Sequence, residues 1–261
     1  MSNLLLPKMV CIDIETTPIE SYTWGLWEQN VGLEMIKTEW SILAFCSKVI
    51  GKPGVEYADT GGRGAGKVRD DSKLLKRLWT ILNEADIVIG QNVRRFDIKK
   101  INARLVMAGY KPYSPVRVID TLDAAKKTFA FTSNRLAWTS KYMTDTPKSE
   151  HKKYPGFELW AACLKDDPGA WAEMKKYNVQ DVVATEKLYA KLRPWMSNHL
   201  NLGVYVGNKE THACPACGSL NTQRRGRATT QAFQYWRYQC VDCGSWSKAS
   251  LRIKGSGANR D

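Results

Sequence analysis

Residues 8–18 read KMVCIDIETTP, an apolar stretch carrying two acids at alternate positions. Val10, Ile12 and Ile14 are β-branched and favour a strand, and Thr16, Thr17 and Pro18 end it. Side chains alternate across a strand, so Cys11, Asp13 and Glu15 share one face while Ile12 and Ile14 share the other. Two neighbouring carboxylates repel each other, and burying them is costly without compensation. A solvated edge strand satisfies that constraint, and so does a metal site. One strand leaves both readings open, and the rest of the chain must supply partners.

The pattern downstream is that of an α/β protein. Residues 40–51 (WSILAFCSKVIG) and 54–58 (GVEYA) read as two strands joined by a Gly/Pro turn, forming a hairpin. Residues 70–85 have apolar positions at helical spacing, with Asp or Ser as the cap. A short buried strand follows at 86–90, a helix at 96–109 ending at Gly109, and another strand at 116–120. Helices are expected at 121–129, 134–143 and 157–164, and a long one at 168–193 with Asp167 as cap and Pro168 in its first turn. This order predicts a sheet with helices packed on it. Beyond LRPW, and from about residue 205, the chain becomes rich in Gly, Arg, aromatics and paired cysteines, which places a domain boundary near 198–208.

Gly61, Gly66 and Lys67 match the G-x-x-x-x-G-K outline of a phosphate-binding loop. Val68 stands where such a loop needs Ser or Thr to ligate magnesium, so 61–66 reads as a mobile basic loop. The 39 Lys and Arg residues outnumber 26 Asp and Glu, for a formal charge of +13, which points to a polyanionic partner. The absence of any run of 18 apolar residues weakens the membrane-surface alternative and favours nucleic acid. Four of the seven cysteines form two C-x-x-C pairs and the others are scattered. That suits metal chemistry and buried thiols in a reducing, cytoplasmic compartment rather than a disulfide framework. The ten tryptophans read as mostly core.

Three further residues meet the opening pair. Asp97 follows N-x-x-x-F at a helix start, where an acid favours the helix dipole. Asp181 lies inside the long helix beside Val182 and Val183, and Tyr177, four residues earlier, projects from the same face. Asp13 with Glu15, Asp97, and Tyr177-x-x-x-Asp181 together resemble the three motifs of the DEDD 3′–5′ exonucleases. These form the DnaQ-like branch of the RNase H-like superfamily, here in the tyrosine-containing form. The likeness spans residues 8 to about 193, and the segments 118–127 and 133–143 resemble the family's stretches between its second and third motifs.

The resemblance implies an RNase H-like mixed sheet flanked by helices over residues 1–200, hydrolysing phosphodiester bonds with two Mg²⁺ or Mn²⁺ ions. Two ions about 4 Å apart activate water and stabilise the leaving oxygen, and hard oxygen ligands suit both metals. By resemblance, Asp13 bridges the ions, Glu15 and Asp181 hold the one that activates water, and Asp97 holds the other. Tyr177 orients the attacking water, since an ordinary tyrosine pKa near 10 suits a hydrogen-bond positioner better than a base. Asn92 and Phe96 match the second motif's flanks as substrate contacts or as shapers of the helix start. The histidine form of the family carries its histidine five residues before the last acid. His151 is far from that position and reads as a solvated residue in a basic stretch.

Cys214 with Cys217, and Cys240 with Cys243, are separated by 22 residues and fit a tetrahedral four-cysteine site holding one structural Zn²⁺. A redox dithiol accounts for one pair but not two, and His212 reads as a bystander. Arg224, Arg225, Arg227 and Arg237 lie among Phe233, Tyr235, Trp236 and Tyr238 between the pairs. That pattern resembles zinc ribbons of nucleic-acid proteins, with arginines on phosphates and aromatics divided between core and bases. A zinc ribbon over 205–254 is therefore expected to bind nucleic acid.

The leading expectation is a free-standing 3′–5′ exonuclease acting on single-stranded 3′ ends, DNA more than RNA, in the host cytoplasm if phage-encoded. The alternatives are a nucleic-acid-binding factor on an inactive nuclease fold and a structure-specific endonuclease.

Overall fold

The structure is a computed structural model that describes residues 7–147, 151, 153–197, 199–206 and 211–257. Its strands and helices are β1 (Met9–Thr16), β2 (Glu20–Ser21), β3 (Ile36–Thr38), β4 (Ile42–Val49), β5 (Glu56–Asp59), α1 (Ser72–Glu84), β6 (Ile87–Gly90), α2 (Asp97–Met107), β7 (Arg117–Asp120) and α3 (Thr121–Thr128). They continue with α4 (Leu136–Met143), α5 (Glu158–Leu164), α6 (Pro168–Leu192), β8 (Thr222–Thr229), β9 (Gln234–Cys240) and β10 (Trp246–Arg252).

Two compact units divide the chain. The larger comprises Lys8–Lys126 and Phe131–Leu188, and holds a five-stranded sheet in the order β5-β4-β1-β6-β7. β1 pairs antiparallel with β4, and β4 with β5, while β1, β6 and β7 run parallel, so the sheet is mixed. The predicted hairpin of β4 and β5 is present. The short β2–β3 pair, split by residues 22–35, had no signal in the hydrophobic pattern.

The alternation of β1 decides what each face meets. Val10, Ile12 and Ile14 pack with Leu74, Leu75, Leu78, Leu82, Ile101 and Leu105 of α1 and α2. Cys11, on the opposite face, packs with Cys46 and with Val182 of α6. Asp13 and Glu15 share the Cys11 face, so β1 carries its two acids on the side where α6 packs.

Asp71 does not cap α1. Its carboxylate instead pairs with Arg104 (2.8 Å) and accepts from the Ile42 amide (2.9 Å). Asp167 does cap α6, accepting from the Gly169 and Ala170 amides at 2.7 and 3.1 Å. The tryptophans are not mostly core: among the described residues only Trp171 is buried, while Trp24, Trp27, Trp195 and Trp246 are exposed. An indole's size and its N–H make complete burial hard to achieve.

The second unit comprises Lys127–Ala130 and Tyr189 onward. The division falls ahead of the composition change at 198–208. The end of α6 packs within this second unit, where Tyr189 stacks on His199 with its hydroxyl 2.7 Å from Nε2, and Trp195 meets Phe129 edge-on. Its sheet has the order β10-β9-β8 and is antiparallel throughout. No described helix is long and apolar enough to cross a membrane.

Candidate active site and cysteine cluster

The third acid is tied to the strand that carries the first two. Asp97, the first residue of α2, accepts a 2.9 Å hydrogen bond at Oδ1 from the amide of Ile14, the residue between Asp13 and Glu15. Asp97 is 3% exposed. Burial pushes its carboxyl up to about 7; the amides of Ile14 and of Asp97 itself oppose this, and the charge of Asp120 adds to it.

The fourth acid comes from α6. Asp181 is 4% exposed. Asp13 lies opposite Cys46 in the β1–β4 register. Burial raises the Cys46 thiol well above its ordinary range, and the charges of Asp13 and Asp181 raise it further. Cys46 also packs with Val182, the residue that follows Asp181 on α6. Asn178 links α6 to β1 directly: its Nδ2 donates to Asp13 Oδ2 at 2.5 Å and to the Asp13 carbonyl at 3.4 Å.

Tyr177 is 8% exposed and packs with Met174, Leu159 and Trp171. Its ring meets those of His151 at 5.1 Å and Trp160 at 6.1 Å, both edge-on. His151 is therefore half-buried against Tyr177 rather than solvated, with Nδ1 2.6 Å from the Tyr154 carbonyl. Tertiary packing overrides the local basic composition there; of that stretch, residues 148–150 and 152 lie outside the described residues.

Two polar residues were missed. Asn178 lies three residues before Asp181, a spacing that puts both on one helical face. Asp120 ends an apolar strand, the same signal that marked Asp13. It is buried and accepts from the amides of Asn92 (2.9 Å), Arg94 (3.0 Å) and Leu122 (2.9 Å). This holds Asn92 at φ 62°, a conformation costly for a non-glycine residue. Asn92 lines a cavity of about 620 Å³ with Lys126 and Arg135, and Phe96 stands at the start of α2, partly exposed.

The 61–66 loop is not a free basic loop. The Asp166 carboxylate accepts from the amides of Gly62 (2.8 Å) and Gly64 (2.6 Å) and from Trp171 Nε1 (2.7 Å). Amides that resemble a phosphate cradle are filled by a side chain of the protein.

The acids suit a hard divalent cation: all are oxygen donors, and Asp97 and Asp181 are buried, where an ionised carboxylate gains most from a bound ion. Among the described residues, the one group of His, Cys, Asp or Glu whose ligand atoms all lie within 4.8 Å of one another is Cys214, Cys217, Cys240 and Cys243. Asp13, Glu15, Asp97 and Asp181 do not form such a group among the described residues.

In the cysteine cluster, Cys214 Sγ is 3.6 Å from Cys243 Sγ, and Cys217 Sγ is 3.7 Å from Cys240 Sγ. Sulfurs bound tetrahedrally at ~2.3 Å stand about 3.8 Å apart, whereas a disulfide is ~2.05 Å long. The two knuckles repeat one another. The amides of Cys214 and Cys240 donate to Ser219 and Ser245, and Gly218 and Gly244, at φ 76° and 77°, donate back to the cysteines. His212 stays outside the cluster, stacked on Tyr238 and 2.9 Å from Ser247 Oγ. Phe233, Tyr235, Trp236 and Tyr238 are all half-buried rather than packed into a closed core. Arg224 and Arg227 lie over Trp236, at 4.3 and 5.4 Å from its centroid. Arg237 lies over Trp246 at 4.9 Å, and Arg225 bonds to Gln223.

The mixed sheet with helices on both faces of β1 is an RNase H-like fold. A family model described as the RNase H superfamily matches residues 64–193, which include Asp97, Tyr177 and Asp181 and start beyond β1. The chain thus carries an RNase H-like superfamily domain. Among solved structures, it is similar to the family B DNA polymerase of the hyperthermophilic archaeon Pyrobaculum calidifontis, with a TM-score of 0.53 and 14% identity. That match covers 87% of this chain and 31% of the polymerase, so this chain spans about a third of the polymerase's length. No curated protein matches the sequence.

Proposed function

We propose that the chain is a metal-dependent 3′–5′ exonuclease of the tyrosine-containing DEDD type, acting on single-stranded ends, DNA more than RNA. The observation that carries the reading is the Ile14–Asp97 hydrogen bond, which joins an acid from α2 to the strand position between Asp13 and Glu15. In this reading Asp13, Glu15, Asp97 and Asp181 would hold two Mg²⁺ or Mn²⁺ ions. When bound, such ions lower the pKa of attacking water and neutralise the leaving 3′-oxygen. Tyr177 positions that water by its hydroxyl, Asn178 fixes the Asp13 carboxylate, and Asn92 and Phe96 contact the terminal nucleotide. Residues 1–200 form the nuclease, and residues 205–254 form a zinc ribbon that holds one structural Zn²⁺ and grips nucleic acid.

The test is a 5′-labelled single strand, as DNA and as RNA, incubated with Mg²⁺ or Mn²⁺ and with wild type or Asp13→Ala. The expected result is a ladder shortening from the 3′ end that Asp13→Ala abolishes. Cutting of a closed circular strand would replace the exonuclease reading with an endonuclease. Binding without cleavage in either metal would leave a binding factor.

A further inference from the structure

The register of the C-terminal sheet sorts its cations by face. Residues directly opposite in an antiparallel pair share a face. Lys248 is opposite Arg237, Arg252 opposite Tyr235, and Trp246 opposite Gln239, so Tyr235, Arg237, Trp246, Lys248 and Arg252 share one face. Arg224 opposite Tyr238, and Arg227 opposite Trp236, occupy the other. His212 partly covers that second face by stacking on Tyr238.

On the first face each cation sits on a ring. Arg237 is 4.9 Å from the Trp246 centroid, Lys248 Nζ is 4.6 Å from that of Tyr235, and Arg252 is 4.6 Å from that of Phe233. All three cations are exposed, and none forms an ion pair among the described residues. Residues 211–257 hold seven Arg and Lys against one acid, Asp242, which is bonded to Ser219 and Asn221 at a knuckle. A base stacks on an open ring face. Here a face of each ring is taken by a cation, whose remaining donors point to an anionic partner.

We propose that the β9–β10 face is a phosphate-backbone clamp, in which Arg237, Lys248 and Arg252, held on their rings, bind a nucleic-acid strand without reading its bases. The inference rests on the reading that the chain acts on nucleic acid, and adds Lys248 and Arg252 to the surface. An anionic membrane surface would share the charge chemistry, but rings capped by cations do not offer the apolar insertion that lipid binding uses.

The test is equilibrium binding of full-length, zinc-loaded Asp13→Ala protein to fluorescent 30-mers without Mg²⁺ or Mn²⁺. The probes are oligo-dT, a mixed sequence, and a strand of the same length with every base removed. The abasic strand is expected to bind within about threefold of the others. The triple variant Arg237→Gln/Lys248→Gln/Arg252→Gln is expected to lower the salt slope of log K by about 2, because each phosphate neutralised on a single strand adds ~0.7 to that slope. Arg237→Lys/Lys248→Arg/Arg252→Lys should restore it, and an unchanged zinc content establishes that the variants fold. Abasic binding weakened tenfold or more, an unchanged salt slope, or tighter binding to vesicles with 30% anionic lipid than to any strand would overturn the proposal. Because the readout is binding by a variant disabled at the metal site, failure to cut would sink the nuclease reading alone.

Discussion

Asn178 Nδ2 lies 2.5 Å from Asp13 Oδ2, so the long helix holds the first acid of the strand through a neutral side chain. Asn178 is 0% exposed, and an amide is the group that reaches a carboxylate there without adding charge. A hydrogen bond to a charged acceptor contributes about 1.5–3 kcal/mol, and its loss leaves a half-buried carboxylate without that donor. Asn178→Ala is expected to lose roughly that much stability in urea unfolding and to weaken Mg²⁺ binding. Asn178→Asp should be worse than Ala in the metal-free protein, because it sets a second carboxylate against Asp13. Unfolding midpoints equal to wild type in both variants would remove Asn178 from the site.

Asp97 gives the metal-free fold a pH dependence of defined sign. Its carboxyl is raised by burial to about 7, above the ~3.9 of an open aspartate. The neutral form therefore stabilises the fold, fully so below about pH 4, and that contribution is lost as pH rises through 7. A bound cation selects the ionised form, so saturating Mg²⁺ should cancel the loss, and Mg²⁺ binding near pH 6.5 should release a proton. Asp97→Asn keeps an oxygen for the Ile14 amide and removes the charge. It should raise the metal-free Tm at pH 8, abolish strand cleavage, and flatten the difference between the two pH profiles. Melting curves from pH 5.5 to 8.5, with and without Mg²⁺, check this. A metal-free Tm that Asp97→Asn leaves unchanged at pH 8 would contradict it.

Three of the candidate acids stand out in the sequence because each breaks a pattern. Asp13 and Glu15 interrupt an apolar strand, and Asp181 adjoins the apolar stripe of a helix. Supporting residues break no such pattern. Asn178 is unremarkable in sequence, and its role depends on α6 crossing β1 at that residue. Asp120 did carry a signal, an acid ending a buried strand, but its partners are the Asn92 and Arg94 amides 26 to 28 positions earlier. His151 shows the opposite failure: its charged neighbours suggested solvent, yet packing set its ring against Tyr177. The loop at 61–66 is held by Asp166, more than a hundred residues away for Gly62 and Gly64 alike. A pairing of that sequence separation leaves no local trace.

The cysteine cluster predicts metal-dependent folding of the C-terminal sheet. Its strands β8 and β10 are mostly exposed, and among the described residues no buried aromatic holds them together. A structural Zn²⁺ contributes on the order of 10 kcal/mol at pH 7. One zinc per chain is expected by native mass spectrometry. Its removal should abolish the near-ultraviolet signal of Trp236 and Trp246. Cys217→Ser should lose the metal and that signal, leaving the α-helical far-ultraviolet signal largely intact. A zinc-free protein with an unchanged near-ultraviolet spectrum would show the sheet to be held by packing.

Arg104 and Asp71 make the ion pair on which the entry to β4 depends. Asp71 is buried at 3% side-chain exposure, and Arg104 reaches it with two donors, Nε and Nη2, both at 2.8 Å. The same carboxylate accepts from the amide of Ile42, the first residue of β4, so one acid ties α1, α2 and the central sheet together. Truncating the arginine alone leaves a buried charge with one remaining backbone donor, which costs about 3–5 kcal/mol. Arg104→Met should lower stability by roughly that amount in urea. Asp71→Asn with Arg104→Met should recover part of it, because the uncompensated charge is then gone while an oxygen remains for Ile42. A double-mutant cycle measures this, with the two changes expected to be non-additive by at least ~1 kcal/mol. Strict additivity would mean that the pair is solvated in solution and that β4 is anchored by its apolar face alone.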